Sequence, residues 1–285
     1  MGEQTTVGVV GIGDMGMPIL GSYVRGGHAV WAFDLRPSAL EAAEQRGAMP
    51  AESLAALASS CDVIAVVVVD DRQLCAVLEN EGGIFDSARA GTTIVVHTTA
   101  MPKTVMDLAP RAAERQLDFL DCPVTGGTAR AEEGDLVLLV GGSAELVERL
   151  RPVLSSLGTP EHVGDVGAGQ VMKLANNLMH FGNKAFIYQA LEFTAAFDIS
   201  EEAVRRVCGE GSGASWALAN LDHLDTLLTS HTLAGTDELF EYMSKDIWTA
   251  AVAARDLQVH LPLVAATAEL LPALERARLA KIQER

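Results

Sequence analysis

The sequence lacks a positive charge balance, and this absence excludes one large class of partners. Its 285 residues include 21 Lys and Arg against 38 Asp and Glu, which gives a formal net charge of −17. Proteins that bind nucleic acids need a basic surface that displaces counterions from the phosphate backbone. We therefore expect no nucleic-acid partner, and an anionic ligand would need a local positive site on a negatively charged protein.

Long apolar runs are missing as well. The longest strongly apolar run covers residues 63–69, whereas a transmembrane helix needs about 20 residues. Residues 1–6 lack the basic and apolar regions of a secretory signal. These two absences predict a cytoplasmic protein with no membrane partner.

Spacings typical of metal sites and disulfide frameworks are also absent. The 7 histidines form no HExxH pattern and the 4 cysteines form no CxxC pair. We therefore predict no metal site, and free thiols in a reducing compartment. The cysteines are Cys61, Cys75, Cys122 and Cys208.

What the sequence does contain is an alternation of β-rich runs and helical patterns over its first 165 residues. Apolar strands separated by helices are typical of a parallel sheet that is covered on both faces. We therefore predict an α/β Rossmann-like domain over residues 1–165, with a doubly wound, parallel-rich sheet and a helix over 37–46. The predicted strands are Val7–Val10, Ala29–Phe33, Val63–Val69, Thr93–Val96, Phe119–Cys122 and Leu136–Val140.

The pattern changes after Gly167-Ala168-Gly169. From Gln170 to about Phe197 the sequence predicts one long helix, and the remainder is rich in alanine and leucine with no strand signal. We predict an all-helical domain over residues 166–285 that serves substrate binding and dimerisation. No flexible linker separates the two domains, so the long helix itself is expected to join them.

A glycine pattern follows the first predicted strand. Gly11-Ile12-Gly13-Asp14-Met15-Gly16 matches GxGxxG and opens a helix, and the acidic residue Asp34 ends the next predicted strand. This context predicts a dinucleotide site, with the pyrophosphate held at the helix N-terminus. Gly11 permits the tight turn, Gly13 lets the pyrophosphate approach the backbone, and Gly16 lets the helix pack close to the strand.

The acidic residue also bears on the choice of cofactor. Asp34 is expected to accept hydrogen bonds from the ribose hydroxyls and to repel a 2′-phosphate, so NAD is favoured over NADP. Arg36, two residues further on, either reaches a phosphate or faces solvent, and NADP therefore stays possible.

Four motifs in the same order resemble the 3-hydroxyisobutyrate dehydrogenase-like (β-hydroxyacid dehydrogenase) family. The first is the glycine pattern extended by Met17 and Pro18. The others are Asp121-Cys122-Pro123-Val124-Thr125-Gly126-Gly127, the segment Gly167-Ala168-Gly169-Gln170 with Lys173 and Asn176-Asn177, and Lys245-Asp246. The resemblance covers nearly the whole chain. It implies hydride transfer between a small β-hydroxy acid and NAD(P), in a homodimer or homotetramer.

The resemblance assigns the catalytic roles to the long helix. Lys173 corresponds to the family's general acid/base, and Asn177 to the residue that orients the substrate hydroxyl. The two residues are four apart, so they lie on one helix face. A lysine can exchange a proton with a hydroxyl where burial or a nearby cation favours its neutral form. His180, on the same face, is either a proton relay or a packed histidine.

Further roles come from the same resemblance. Thr125, Gly126 and Gly127 would hold the substrate carboxylate, and Trp216 belongs to a segment that closes over the substrate or else to the helical core. Thr99 would contact the nicotinamide, and Lys245 would hold the cofactor or the carboxylate.

Three departures from the family pattern concern substrate and subunit contacts. Arg130 replaces a small residue in the substrate loop, where it either pairs with a second anionic group or points to solvent. Val96 replaces an aspartate. The C-terminal segment, residues 271–285, lacks the glycine-rich ending that is usual in the family.

Two alternatives remain open. One is an imine or semialdehyde reductase of the same fold, but imine-reducing relatives typically replace the lysine that is present here as Lys173. The other is a non-catalytic, cofactor-binding interaction protein. Such proteins lose this lysine and carry basic extensions, whereas this acidic chain keeps it.

Overall fold

The computed structural model describes the backbone of residues 5–230 and 236–284, and the side chains of residues 5–229 and 245–284. The chain divides into two compact units, Met1–Lys173 (the first unit) and Leu174–Arg285 (the helical unit). The division falls inside a continuous helix. The sequence, in contrast, predicts a domain boundary near residue 165.

The first unit is built on one nine-stranded sheet. The strands are β1 (Thr6–Val10), β2 (Ala29–Phe33), β3 (Met49–Pro50), β4 (Val63–Val66), β5 (Thr93–Val96), β6 (Asp118–Asp121), β7 (Val124–Thr125), β8 (Leu136–Gly141) and β9 (Gly158–Gly164). Their order is β3-β2-β1-β4-β5-β6-β8-β7, with β9 beside β8.

Helices cover both faces of this sheet. They are α1 (Gly16–Arg25), α2 (Pro37–Gln45), α3 (Leu54–Ser60), α4 (Asp71–Glu79), α5 (Ile84–Ser87), α6 (Pro102–Ala113), α7 (Gly127–Glu133) and α8 (Ala144–Leu154). Successive strand residues point to opposite faces. In β4, Val63 and Ala65 therefore join the apolar core that contains α1 and α8, while Ile64 and Val66 join the core that contains α3, α4 and α6.

The pairing is parallel from β3 to β6 and between β8 and β9, and antiparallel where β8 meets β6 and β7. The order β3-β2-β1-β4-β5-β6 is that of a doubly wound nucleotide-binding sheet, which binds its ligand at the carboxyl ends beside the point where strand order reverses. Here that point lies between β1 and β4. The prediction of an α/β, parallel-rich sheet followed by a helical region is confirmed.

The helical unit packs around its own apolar side chains. Helix α9 (Ala168–Ala195) begins in the first unit and continues into this one. It is followed by α10 (Glu201–Gly209), α11 (Trp216–Ala219), α12 (Leu221–Ser230), α13 (Thr236–Asp256) and α14 (Pro262–Gln283). Buried residues such as Ile187, Leu221, Leu224 and Leu271 form its core. Among the described residues, no helix has the length and apolar character needed to cross a membrane.

Candidate active site

The glycine loop between β1 and α1 has two glycines that the fold itself requires. Gly11 has a φ of 89°, in the left-handed region that favours glycine, and a Cβ there would lie 2.4 Å from the carbonyl oxygen of Val67. A Cβ on Gly16 would lie 1.9 Å from the carbonyl oxygen of Gly11. The tight turn and the close packing of α1 therefore both depend on glycine.

Gly13 differs from these two residues because packing within the protein does not require it. A Cβ on Gly13 would meet no described atom within 4 Å. Helix α1 begins three residues later, and no side chain of the described residues caps it. A loop that leaves room at the N-terminus of a helix fits the pyrophosphate of a dinucleotide. The residues present therefore fit such a cofactor, and the roles of Ile12, Asp14 and Met15 in binding it stay predictions.

Asp34 follows β2 and is bound to the glycine loop. Its Oδ2 accepts a hydrogen bond of 2.8 Å from the backbone N–H of Ile12. The Arg36 side chain donates to both carboxylate oxygens, from Nε at 2.9 Å and from Nη2 at 3.0 Å. Burial alone would raise the pKa of Asp34, but the hydrogen bonds from Arg36 and Ile12 hold it below its usual value. The carboxylate is therefore ionised at neutral pH.

Arg36 does not simply face solvent. Besides its bonds to Asp34, its Nη2 donates to the carbonyl oxygen of Ile12 at 3.0 Å. The guanidinium thus bridges the end of β2 and the glycine loop, the region in which a dinucleotide ribose is expected.

The two threonines that follow β5, Thr98 and Thr99, lie in different environments. Thr98 is buried, and its Oγ1 accepts a hydrogen bond of 2.9 Å from the N–H of Val68 in the loop after β4. This bond joins two neighbouring loops at the carboxyl edge of the sheet. Thr99 is partly exposed at the same edge, which fits the predicted contact with the nicotinamide.

The predicted substrate loop joins β7 to α7. Gly126 and Gly127 have φ values of 136° and 77°, so both positions favour glycine on backbone grounds. Thr125 is half-buried. Arg130 lies on α7, and its Nε donates to Oδ2 of Asp135 at 2.9 Å. Arg130 therefore has an ion-pair partner within the chain. From the sequence, we expect it either to pair with a second anionic group of the substrate or to point to solvent.

Asp121 is a site residue that sequence reasoning quoted only as part of a motif. Its fully buried carboxylate accepts hydrogen bonds from the backbone N–H groups of Gly167 (2.7 Å) and Gln170 (2.8 Å), at the start of α9. Burial raises the pKa of Asp121, although these amides favour its ionised form. An aspartate paired with a helix N-terminus 46 residues away leaves no local signal in the sequence.

Lys173 lies on α9, half-buried, one turn before Asn177. Asn177 is buried, and its Nδ2 donates to Oδ2 of Asp246 at 2.7 Å, while its Oδ1 accepts from Asn176 at 3.1 Å. The other oxygen of Asp246 lies 3.3 Å from Nζ of Lys245. These contacts fix the orientation of the Asn177 amide. The main contact is the hydrogen bond to Asp246. The sequence motif included Asp246 only as the neighbour of Lys245.

Trp216 is the first residue of α11 and is 53% exposed, which argues against a core position. Its ring lies 5.7 Å from that of His180 and 6.3 Å from that of His223. It lines an open cavity of about 820 Å³ within the helical unit, together with Arg205 and Arg206. His180 also packs against Phe181. The structure thus places His180 in an aromatic group. In the described part of the chain, no cluster of His, Cys, Asp and Glu could hold a metal ion.

Comparisons with known proteins cover almost the whole chain. A family model described as the NAD binding domain of 6-phosphogluconate dehydrogenase matches residues 6–182. A second, described as NAD-binding of NADP-dependent 3-hydroxyisobutyrate dehydrogenase, matches residues 167–284.

Individual relatives match over similar lengths. The 2-(hydroxymethyl)glutarate dehydrogenase of Eubacterium barkeri is 31% identical, over 95% of this chain and 89% of the relative. The 3-hydroxyisobutyrate dehydrogenase of Pseudomonas aeruginosa is 30% identical, over 91% and 89%. A crystal structure of 3-hydroxyisobutyrate dehydrogenase from Salmonella typhimurium superposes with a TM-score of 0.82 at 26% identity, covering 99% of this chain and 100% of that one.

Proposed function

The chain belongs to the 3-hydroxyisobutyrate dehydrogenase-like family and is a hydroxy-acid oxidoreductase, and from this premise we propose that it oxidises a small β-hydroxy acid with Lys173 as general acid/base. The observation that carries this proposal is the arrangement on α9. Lys173 is followed one turn later by Asn177, whose side-chain amide is oriented by Asp246.

The proposed chemistry needs one proton acceptor and one orienting group. The nicotinamide cofactor, when bound, accepts a hydride from the carbon that carries the hydroxyl. Neutral Lys173 takes the hydroxyl proton during oxidation, and the protonated lysine returns it in the reverse reaction. Asn177 holds the hydroxyl in line with this exchange. Its amide is already bound to Asp246 on one side, so little freedom is lost when it binds the substrate.

The substrate class follows from the relatives and from the glycine pair. The names of the two relatives describe acids with a hydroxymethyl group on the carbon next to a carboxylate. We propose such an acid here, oxidised to the semialdehyde. Thr125, Gly126 and Gly127 offer one hydroxyl and backbone amides that can bind a carboxylate without a full positive charge. Trp216 would cover the substrate.

NAD is the proposed cofactor, bound at 11–16 with Thr99 at the nicotinamide side, and Lys245 would hold the cofactor or the substrate carboxylate. The ionised carboxylate of Asp34 lies where the adenosine ribose is expected and would repel a 2′-phosphate. Arg36 is the group that would favour NADP, but here its guanidinium is engaged by Asp34 and by the Ile12 carbonyl.

We further propose that the protein is a homodimer or homotetramer that assembles through its helical unit. Three large apolar side chains spaced seven residues apart on α9 support this assembly, because Met179, Phe186 and Phe193 are 65%, 63% and 67% exposed. Residues separated by seven positions lie on one face of a helix.

The test is reduction of NAD and NADP with a panel of acids that contains 3-hydroxyisobutyrate, 3-hydroxypropionate, L-serine, D-glycerate and 2-(hydroxymethyl)glutarate. We expect activity with NAD on one or more of them, and a 10²–10⁴-fold lower kcat in Lys173→Ala, the range in which general acid/base groups contribute. The matched control is Lys103→Ala, since Lys103 is an exposed lysine of the first unit. Near wild-type oxidation by Lys173→Ala would contradict the acid/base role, and activity with NADP alone would contradict the role of Asp34.

A further inference from the structure

The first turn of α9 is attached to the loop after β5 by one side chain, that of Gln170. This side chain is fully buried. Its Oε1 accepts a hydrogen bond of 3.0 Å from the N–H of Ala100, and its Nε2 donates one of 2.9 Å to the carbonyl oxygen of Thr98. The amide therefore binds the main chain on both sides of Thr99, and it uses one donor and one acceptor to do so.

The same helical turn is attached to a second loop by Asp121, the last residue of β6. The carboxylate accepts from Gly167 and Gln170, and two glycines leave room for it. A Cβ on Gly141 would lie 2.3 Å from Oδ1 of Asp121, and one on Gly169 would lie 2.8 Å from Oδ2. Asp121 directly precedes the segment that leads to Thr125. One turn of helix thus meets the main chains that carry Thr99 and Thr125.

Lys173 lies one helical turn after Gln170, and both residues belong to the first unit. Proton and hydride transfer require the base, the hydroxyl and the cofactor at fixed separations, and a misplacement of about 1 Å can cost about 10²-fold in rate. We propose that Gln170 is a positioning residue for hydride transfer, since it holds the main chain around Thr99 in register with Lys173. This inference rests on the proposed dehydrogenase function.

The first experiment removes both hydrogen bonds with little change in side-chain volume. Gln170→Met leaves the N–H of Ala100 and the carbonyl of Thr98 buried without their partner. We expect the single-turnover rate of hydride transfer, measured by stopped flow with protiated and deuterated substrate, to fall by about 10–100-fold. The dissociation constant for NADH should change less than about threefold, because the pyrophosphate and ribose contacts proposed for the glycine loop and Asp34 do not involve Gln170.

The control variant removes a buried hydrogen bond at the amino end of β5, the end opposite the loop that Gln170 holds. Thr92 is buried, and its Oγ1 donates to the carbonyl oxygen of Cys61 at 3.2 Å, next to the amino end of β5. Thr92→Val should lower stability but leave the hydride-transfer rate within about twofold of wild type. A Gln170→Met enzyme with the same rate as Thr92→Val would overturn the proposal.

A second variant keeps the proposal testable if Gln170→Met does not fold. In Gln170→Glu, the protonated carboxyl can donate to Thr98 and accept from Ala100, as the amide does, whereas the ionised form cannot donate. Burial and the neighbouring Asp121 carboxylate both raise the pKa of the introduced carboxyl. The ratio of the variant's hydride-transfer rate to that of wild type should therefore fall as pH rises from about 5 to 9. A constant ratio contradicts the proposal.

A readout without turnover separates this inference from the proposed function. Amide hydrogen exchange at Ala100 should become at least about tenfold faster in Gln170→Met and stay unchanged in Thr92→Val. Faster exchange with an unaltered hydride-transfer rate would overturn the positioning role alone. A wild-type protein that oxidises none of the acids would overturn the proposed function, while the exchange rates would still report whether Gln170 holds this loop.

Discussion

His97 is a buried residue that joins three parts of the first unit. It is 4% exposed. Its Nδ1 lies 2.7 Å from the carbonyl oxygen of Cys122, and its Nε2 lies 3.4 Å from Oη of Tyr23 on α1. Burial lowers the pKa of His97 to about 4, although the contact with the Cys122 carbonyl favours the charged form. The imidazole is therefore neutral in the folded protein at neutral pH.

This burial predicts a specific loss of stability in mild acid. The unfolded histidine has a pKa near 6.5, so between pH 6.5 and 4 the unfolded chain binds a proton that the folded chain does not. The contribution to stability is complete above pH 6.5 and is lost as pH falls toward 4, by an amount on the order of 3 kcal/mol.

The measurement is urea unfolding of wild type and His97→Gln at several pH values between 7.5 and 4. We expect a flatter dependence on pH in the variant. Thr92→Val, at a buried residue of the same unit that does not titrate, should retain the wild-type dependence. Equal pH dependence in wild type and His97→Gln would show that His97 does not contribute this term.

At the residue scale, the sequence predicts the position of a residue where that position depends on near neighbours in the chain. Gly11, Gly16 and Asp34 could be placed because a strand, a turn and a helix follow each other within a short segment. The bonds of Gln170 could not, since its partners lie 70 and 72 residues away in the chain. The Arg36 bridge to Ile12 was missed for the same reason, because it depends on how two loops meet in space.

At the scale of elements, burial decides which strands the sequence reveals. Strands β2 and β5 have the predicted bounds because they are apolar and each pairs with a strand on both sides. Strand β4 ends at Val66 rather than Val69, because the chain turns away and the N–H of Val68 bonds to Thr98. Strand β9 was not predicted, since it contains a proline and the charged residue Glu161 and pairs only with β8.

The helical unit contains an ion pair in which both side chains are fully buried. Nζ of Lys184, on α9, donates to Oε1 of Glu275, on α14. Among the described residues, Oε2 of Glu275 and Oη of the neighbouring Tyr188 have no hydrogen-bond partner. Removing one member of a buried pair leaves an uncompensated charge, whereas replacing both by apolar groups can be neutral.

We therefore predict that Lys184→Met lowers the free energy of unfolding by about 3–5 kcal/mol. The double variant Lys184→Met/Glu275→Leu should recover most of that loss. The exposed pair Lys281–Glu192 between the same two helices is the control, and Lys281→Met should cost less than about 1 kcal/mol. Thermal unfolding of the four proteins measures these differences, and a double variant no more stable than the single one would contradict the prediction.

At the scale of the whole molecule, many of the large apolar side chains that are exposed in the described residues lie in the helical unit. In the helical unit, exposed residues include the three on α9 as well as Phe197, Trp248, Leu257 and Leu263. Large apolar side chains exposed along one face of a helix, as on α9, are typical of a protein interface. The net charge of −17 makes non-specific association unfavourable, so assembly must depend on a complementary patch.

A second copy of the chain is the partner expected for the α9 patch, and a single charge placed on it should disrupt assembly. Phe186→Lys introduces an ammonium at the middle of the three apolar positions, which would lose its hydration in an interface. We expect wild type to sediment as a dimer or tetramer and Phe186→Lys to dissociate at least about tenfold more readily, a change of about 1.4 kcal/mol.

The control variant is Met106→Lys, which changes an apolar residue on α6 of the first unit that is 56% exposed. This variant should assemble as wild type does. Analytical ultracentrifugation over a series of protein concentrations distinguishes the outcomes. A monomeric wild type, or a Phe186→Lys protein that assembles as well as Met106→Lys, would show that this face of α9 has another role.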